Sequence, residues 1–275
     1  MVKRLAIVAI IAAMAVVAAL RSVIAESVIA ELPNRATLRA GISGRIPRAA
    51  VRTWKPLWHI SPQLRTSVIA WEDPRFYHHS GISARYVVDA LLVDIREWRY
   101  ARGGSTITQQ LAKNLFLTRE KTVARKLRDV VLARRLEGAL TKDEILEVYL
   151  NTAEWGDGVY GVEAAARFYF ATTSDRLDWS QSAALAGMLP NPRLFDPCRD
   201  RLAAERRRDR VLDAAAQQGA LTDDEQASVK ALRLIVRCSG AAQINGDPAR
   251  DLRGLRDLRG LRDLRGLRDL RDLRG

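Results

Sequence analysis

Two carboxylates stand side by side in Glu72-Asp73-Pro74-Arg75-Phe76-Tyr77-His78-His79-Ser80-Gly81. A carboxylate at a helix end, next to an aromatic-rich turn, can act as a general base if its surroundings raise its pKa. By itself the stretch is a weak signal, because acids at helix ends are usually solvated. Gly103-Gly104-Ser105-Thr106-Ile107-Thr108-Gln109-Gln110 is less ordinary. Backbone N–H groups at a Gly-Gly-capped helix start can hold an anion, and Gln109, Gln110 and Lys113 add several donors with few acceptors. In Arg125-Lys126-Leu127-Arg128-Asp129 the two cations precede the acid by four and three residues, so a helix puts all three on one face. Taken alone, that trio reads as a surface ion pair worth less than about 1 kcal/mol.

These residues need helices to position them, and the pattern between about residues 30 and 240 is helical. Ser61-Pro62 predicts a start, with Ser61 as N-cap and Pro62 in the first turn, for a helix through Leu64, Val68 and Ile69 into Glu72. Gly103-Gly104-Ser105 predicts a turn and cap. Beyond it Ile107, Leu111 and Leu115 recur every fourth residue and leave Gln109, Gln110 and Lys113 on other faces. Thr122 can cap a long helix reaching Leu136. Thr141 with Glu144 predicts a capping box, and Thr222 with Glu225 predicts one that opens the last helix. Residues 156–161 hold three glycines and an Asp and read as a loop. Short helices are expected over 162–170 and 182–189, the second stopped by Pro190-Asn191-Pro192. Strand alternation is scarce, so the predicted class is mainly α.

Composition narrows the chemistry. The 275 residues carry 45 Lys and Arg against 32 Asp and Glu, a net charge of +13, which points to an anionic partner such as nucleic acid, a phosphate-bearing substrate or acidic lipid. Only three His and two Cys are present, without H-E-x-x-H or C-x-x-C spacing, so a His-rich zinc site is disfavoured; no Walker A pattern occurs. Lys3 and Arg4 precede a 16-residue apolar run over 5–20, read as a retained membrane anchor reaching about residue 25 in preference to a cleaved signal peptide. From residue 251 the chain repeats Asp-Leu-Arg-Gly-Leu-Arg. With Arg250 this tail holds nine Arg and five Asp and supplies +4 of the charge. A Leu every third residue makes no lasting helical face, so the tail is expected to be disordered. Cys198 and Cys238 fit either a disulfide or two free thiols. The expected organisation is therefore a stub and anchor over 1–25, a linker over 26–50, a catalytic domain over 51–240 and the tail over 241–275.

Taken together, the motifs resemble the peptidoglycan glycosyltransferases of family 51. This is the module found alone in monofunctional transglycosylases and at the front of class A penicillin-binding proteins. E-D-x-x-F-x-x-H-x-G is met by Glu72, Asp73, Phe76, His79 and Gly81, and G-G-S-T-I-[ST]-Q-Q-x-x-K-N is met in full from Gly103 to Asn114. R-K-x-x-E is met by Arg125 and Lys126 but ends in Asp129. K-x-x-I-L-E-x-Y-L-N runs from Lys142 to Asn151, and the stretch from Ala153 to Gly161 resembles the monofunctional, Gram-negative branch.

The resemblance implies a lysozyme-like helical domain, with a large lobe and a small membrane-facing lobe, behind one transmembrane helix. Residues 86–98 read either as part of that small lobe or as a buried core helix. It implies lipid II and the growing glycan strand as substrates, β-1,4 glycan as product, the cytoplasmic membrane as a partner, and no nucleic acid; other wall-synthesis proteins are candidate partners. Glu72 matches the base and Asp129 the second acid. Lys113, Lys121, Arg125 and Lys126 would neutralise a departing pyrophosphate. Ser105, Thr106, Gln109 and Gln110 would hold sugar and phosphate oxygens, with Asp73, Phe76 and His79 completing the first motif. Glu147 and Asn151 would buttress helices. No obligatory cofactor is implied; a divalent cation, Mg²⁺ or Mn²⁺, is a candidate at Asp129. That Asp is one methylene shorter than the family's Glu, a displacement of about 1.5 Å that can cost about 100-fold in rate. Ser182 stands where the family usually has Glu. No S-x-x-K or K-[ST]-G occurs, so a transpeptidase site is not expected. The competing readings are a lysozyme-like glycan hydrolase and a non-catalytic wall scaffold.

Overall fold

A computed structural model describes residues 41–82, 105–117 and 123–238. The apolar run over 5–20, Gly103 and Gly104, residues 86–98, Lys121, Thr122 and the tail from residue 251 lie outside the described residues, as do the side chains of Arg125 and Lys126. The described elements are α1 (Arg48–Arg52), α2 (Pro62–Glu72), α3 (Ile107–Phe116), α4 (Val123–Ala139), α5 (Lys142–Thr152), β1 (Glu154–Gly156), β2 (Val159–Tyr160), α6 (Val162–Phe170), α7 (Trp179–Met188), α8 (Arg201–Gln217) and α9 (Asp223–Ala231). The class is mainly α, as the sequence predicts. None of the described helices is long and apolar enough to cross a membrane. The chain divides into two compact units, and the last of the three divisions falls inside α5, after Leu146.

The described part of the first unit comprises residues 41–45, 75–82, 105–117 and 123–146. Helix α3 packs on α4. Ile107, Leu111 and Leu115 are buried, as their spacing predicts, and face a core that includes Leu132, Ala133 and Leu136. The cap of α3 is Thr106, one residue beyond the predicted Gly-Gly-Ser turn. Its Oγ1 accepts from the Gln109 N–H (3.2 Å), and Gln109 Oε1 accepts from the Thr106 N–H (2.9 Å), a reciprocal capping box. The Thr106 hydroxyl also donates to the Gly81 carbonyl at 2.8 Å. Gly81 has φ +84°, and a Cβ there would lie 3.0 Å from the Ala133 carbonyl oxygen, so only glycine lets this turn approach α4. Glu137 on α4 accepts from Thr108 Oγ1 (2.6 Å) and Lys142 Nζ (2.7 Å), while the Lys142 ammonium lies 4.4 Å from the centroid of buried Phe76. The capping box at Thr141 and Glu144 forms as predicted.

In the second unit, residues 46–74 and 147–238, α7 packs between α2 and α8. Its Ala183, Ala184, Ala186 and Gly187 are buried, and small side chains allow close helix approach. Helix α7 starts at Trp179, three residues before the predicted Ser182, because Asp178 and Gln181 form a capping box. Residues 156–161, expected as a loop, contribute to an antiparallel β1–β2 hairpin. The reason is tertiary: buried Trp155 anchors the hairpin, and the Tyr169 hydroxyl donates to the Trp155 carbonyl at 3.0 Å across a gap that a Cβ at Gly156 would fill. Helix α6 spans the predicted 162–170, and α9 opens on the predicted Thr222–Glu225 box. Helix α8, which the sequence pattern does not reveal, is capped by Asp200.

After α9 the chain crosses the unit as an extended strap. Leu234 is buried, its N–H donates to Glu205 Oε1 (2.9 Å), the Arg237 N–H donates to the Tyr169 carbonyl (2.8 Å), and Cys238 is bonded to Cys198. This settles the open choice between disulfide and free thiols. The two cysteines are separated by 40 residues, and in the chain-entropy model closing a loop of that length stabilises by about 3–4 kcal/mol. The double variant Cys198→Ser/Cys238→Ser is expected to unfold at correspondingly lower urea; equal midpoints for variant and oxidised wild type would show that the bond contributes nothing.

Candidate functional site

Glu72 is the last residue of α2 and is half-buried; Asp73 caps the helix and is fully buried, its N–H donating to the Ile69 carbonyl at 3.0 Å. The chain entering α2 is fastened to α5 at several points. Glu147 accepts from Trp54 Nε1 (3.1 Å) and the Leu57 N–H (2.9 Å), and Asn151 accepts from the Lys55 N–H (2.9 Å) and donates to its carbonyl (2.8 Å). Glu147 and Asn151 thus hold the approach to α2, as buttresses should. Ser61 occupies the predicted N-cap position without making the side-chain cap bond: its hydroxyl donates to the Leu177 carbonyl at 2.7 Å, tying the helix start to the chain ahead of α7.

Between Glu147 and Asn151 on α5 lies Tyr149, buried within electrostatic reach of Glu72 and Asp73. Burial first, then the carboxylates of Glu72 and Asp73, hold its phenol well above the ordinary value. Burial also raises the Tyr169 phenol, helped by Asp196 and opposed by Arg199. An unfolded tyrosine ionises near pH 10. The stability that these neutral phenols contribute is therefore complete below about pH 10 and is lost as pH rises further, because unfolding then releases protons. Urea midpoints should fall above about pH 10, less steeply in Tyr149→Phe; a flat wild-type profile would contradict this.

The other described site residues belong to the first unit. Phe76 is buried against Lys142, and His79 Nδ1 accepts from the Gly81 N–H (3.1 Å), which fixes the turn after the acids. Thr106 and Gln109 are buried and engaged in the α3 cap; Gln109 lies off the face of Ile107, Leu111 and Leu115 and is buried all the same. Ser105 and Gln110 are half-buried and Lys113 is exposed. Asp129 lies on α4 with 4% of its surface exposed, and Arg125 and Lys126 are on the same helix. Among the described residues no cluster of three or more His, Cys, Asp or Glu could hold a metal ion.

Sequence reasoning missed Arg207 and Arg208. Arg208 occupies a core position of α8 between Ala204 and Leu212 and is 2% exposed, and its charge hides that helix's apolar stripe in the sequence.

The transglycosylase family model matches residues 40–216, well over half the chain. The chain belongs to the transglycosylase family. Among similar curated proteins, the biosynthetic peptidoglycan transglycosylase of Chromobacterium violaceum is 47% identical over 155 residues, 56% of this chain and 68% of that one. Its namesake in Dechloromonas aromatica is 44% identical over 158 residues, 57% and 68% of the two chains, and that of Paraburkholderia xenovorans is 46% identical over 144, 52% and 60%. A crystal structure of penicillin-binding protein 1A from Haemophilus influenzae aligns over 36% of this chain and 15% of its own, at 31% identity and a TM-score of 0.34.

Proposed function

We propose that this chain is a peptidoglycan glycosyltransferase that polymerises lipid II into β-1,4 glycan strands and releases undecaprenyl pyrophosphate. The carrying observation is Glu72 at the end of a buttressed helix, inside the stretch matched by the transglycosylase model. In the proposed reaction a sugar 4-hydroxyl oxygen attacks C1 of the donor sugar and its proton passes to Glu72. The C1–oxygen bond to the pyrophosphate breaks, and the electron pair leaves with the phosphate. Pyrophosphate needs charge neutralisation more than a proton, a task for preorganised cations. Lys113, Lys121, Arg125 and Lys126 take this role by resemblance, with Asp129 steadying the leaving group directly or through a substrate-borne Mg²⁺ or Mn²⁺. Ser105 and Gln110 are assigned to sugar and phosphate oxygens; Thr106 and Gln109 shape the same helix start. The split into a large lobe and a small membrane-facing lobe, and a single-pass anchor in the inner membrane with the domain on the periplasmic side, belong to the same reading. The Cys198–Cys238 bond supports this location, since disulfides persist in oxidising compartments.

The test is incubation of the full chain in detergent with labelled lipid II, with and without Mg²⁺ or Mn²⁺. Polymer supports the proposal, and dependence on the cation supports its role beside Asp129. Shortening of finished glycan strands would identify a hydrolase, whose sugar leaving group gives no reason for a cation cluster. Polymerisation gained only in Asp129→Glu would identify a scaffold that lost activity with one methylene.

A further inference from the structure

Helix α8 carries three consecutive arginines, and a helix turns about 100° per residue, so they leave in three directions. Arg206 is exposed, and Arg208 is buried towards Ser180 and the strap. Arg207 reaches towards α2. Its Nε donates to the Gly187 carbonyl, and its guanidinium carbon lies 3.6 Å from the Phe195 ring centroid and 5.5 Å from that of Trp71. The approach depends on a small residue, because a Cβ at Gly187 would lie 3.3 Å from Arg207 Cγ. Trp71 immediately precedes Glu72. The last turn of α2 contains no basic residue of its own, although helix C-termini favour cations.

We infer that Arg207 is a positioning residue for Glu72, acting through the indole of Trp71; this rests on reading Glu72 as the base. A terminal helical turn frays readily. The planar guanidinium, fixed by the Gly187 carbonyl and Phe195, gives the Trp71 indole one place to lie, and the adjoining backbone then holds the Glu72 carboxylate at one azimuth. Lysine could supply the charge but not a planar guanidinium face for the indole to meet. Arg207 touches none of the reacting atoms.

A double-mutant cycle tests the inference in full-length chain with lipid II. Arg207→Ala and Trp71→Ala should each lower kcat about 10-fold with KM within about twofold, since the base is displaced while substrate binding is kept. Combined, they should lower kcat no further than either alone, because both remove one interaction. Trp71→Phe, which keeps a ring face, should restore most of the rate. Hydrogen exchange gives a readout independent of activity: the Asp73 amide should exchange faster in both alanine variants, to the same degree. Unchanged kcat in Arg207→Ala, or losses that multiply in the double variant, would overturn the inference. If Arg207→Ala does not fold, Trp71→Ala against Trp71→Phe decides. Should wild type make no polymer, the proposed function fails while the exchange comparison still judges the clamp.

Discussion

Glu72→Gln is expected to lower glycan polymerisation by a factor of about 10²–10⁴, the usual contribution of a positioned general base. The amide has nearly the same shape as the acid but cannot take the sugar hydroxyl's proton at neutral pH. Lipid II binding should survive within a few-fold, because the proposed recognition of the pyrophosphate and sugars lies with Lys113, Gln110 and their neighbours. The helix should survive too: Asp73, not Glu72, caps α2, and its approach is held by Glu147 and Asn151. Rate from a continuous lipid II assay and affinity from a separate binding measurement distinguish the two effects. A variant with full activity removes Glu72 as base and, with it, the proposed mechanism.

The second large effect concerns stability. Arg208 is buried, and its guanidinium donates to Ser180 Oγ (3.1 Å), to the carbonyls of Leu232 (2.7 Å) and Lys230 (3.1 Å), and to Asp209 Oδ1 (2.9 Å). It joins α8 to α7 and to the chain leaving α9. Arg208→Ala removes the stem from the core and strips the partners from two carbonyls and a hydroxyl. The expected cost is about 3–4 kcal/mol, since leaving buried groups unsatisfied is more costly than the net worth of the bonds. Arg208→Met keeps the apolar volume and leaves the same acceptors orphaned, so it should recover only part of the loss. Urea denaturation measures both. A loss below about 1 kcal/mol in the alanine variant would show that water satisfies these groups and that the staple is dispensable.

Local signals were legible in the sequence because both partners of each lie within one helical turn. The boxes Thr141–Glu144 and Thr222–Glu225 form where their spacing puts them. Pro62 begins α2, and the fourfold recurrence of Ile107, Leu111 and Leu115 marks a buried face. Helix α8 was not legible for a definite reason: an arginine interrupts its apolar stripe at 208, so the periodicity fails even though one face of the helix is buried against α2 and α7. The box at Asp178 and Gln181 has the same three-residue spacing as the others and could have been read. The hairpin could not, because the Tyr169 hydroxyl that seats it is 14 residues away from Trp155.

The sequence by itself determined the helical class, most helix starts, the acid pair at 72 and 73 and the family to which the motifs belong. Only the tertiary structure decided that Cys198 meets Cys238, that the segment after α9 buries Leu234, and that Arg207 and Arg208 are structural cations and not surface charge. The reason is range. Capping and periodicity are set by neighbours within about four residues, whereas the direction of a long side chain is set by the cavity and acceptors that distant segments bring to it.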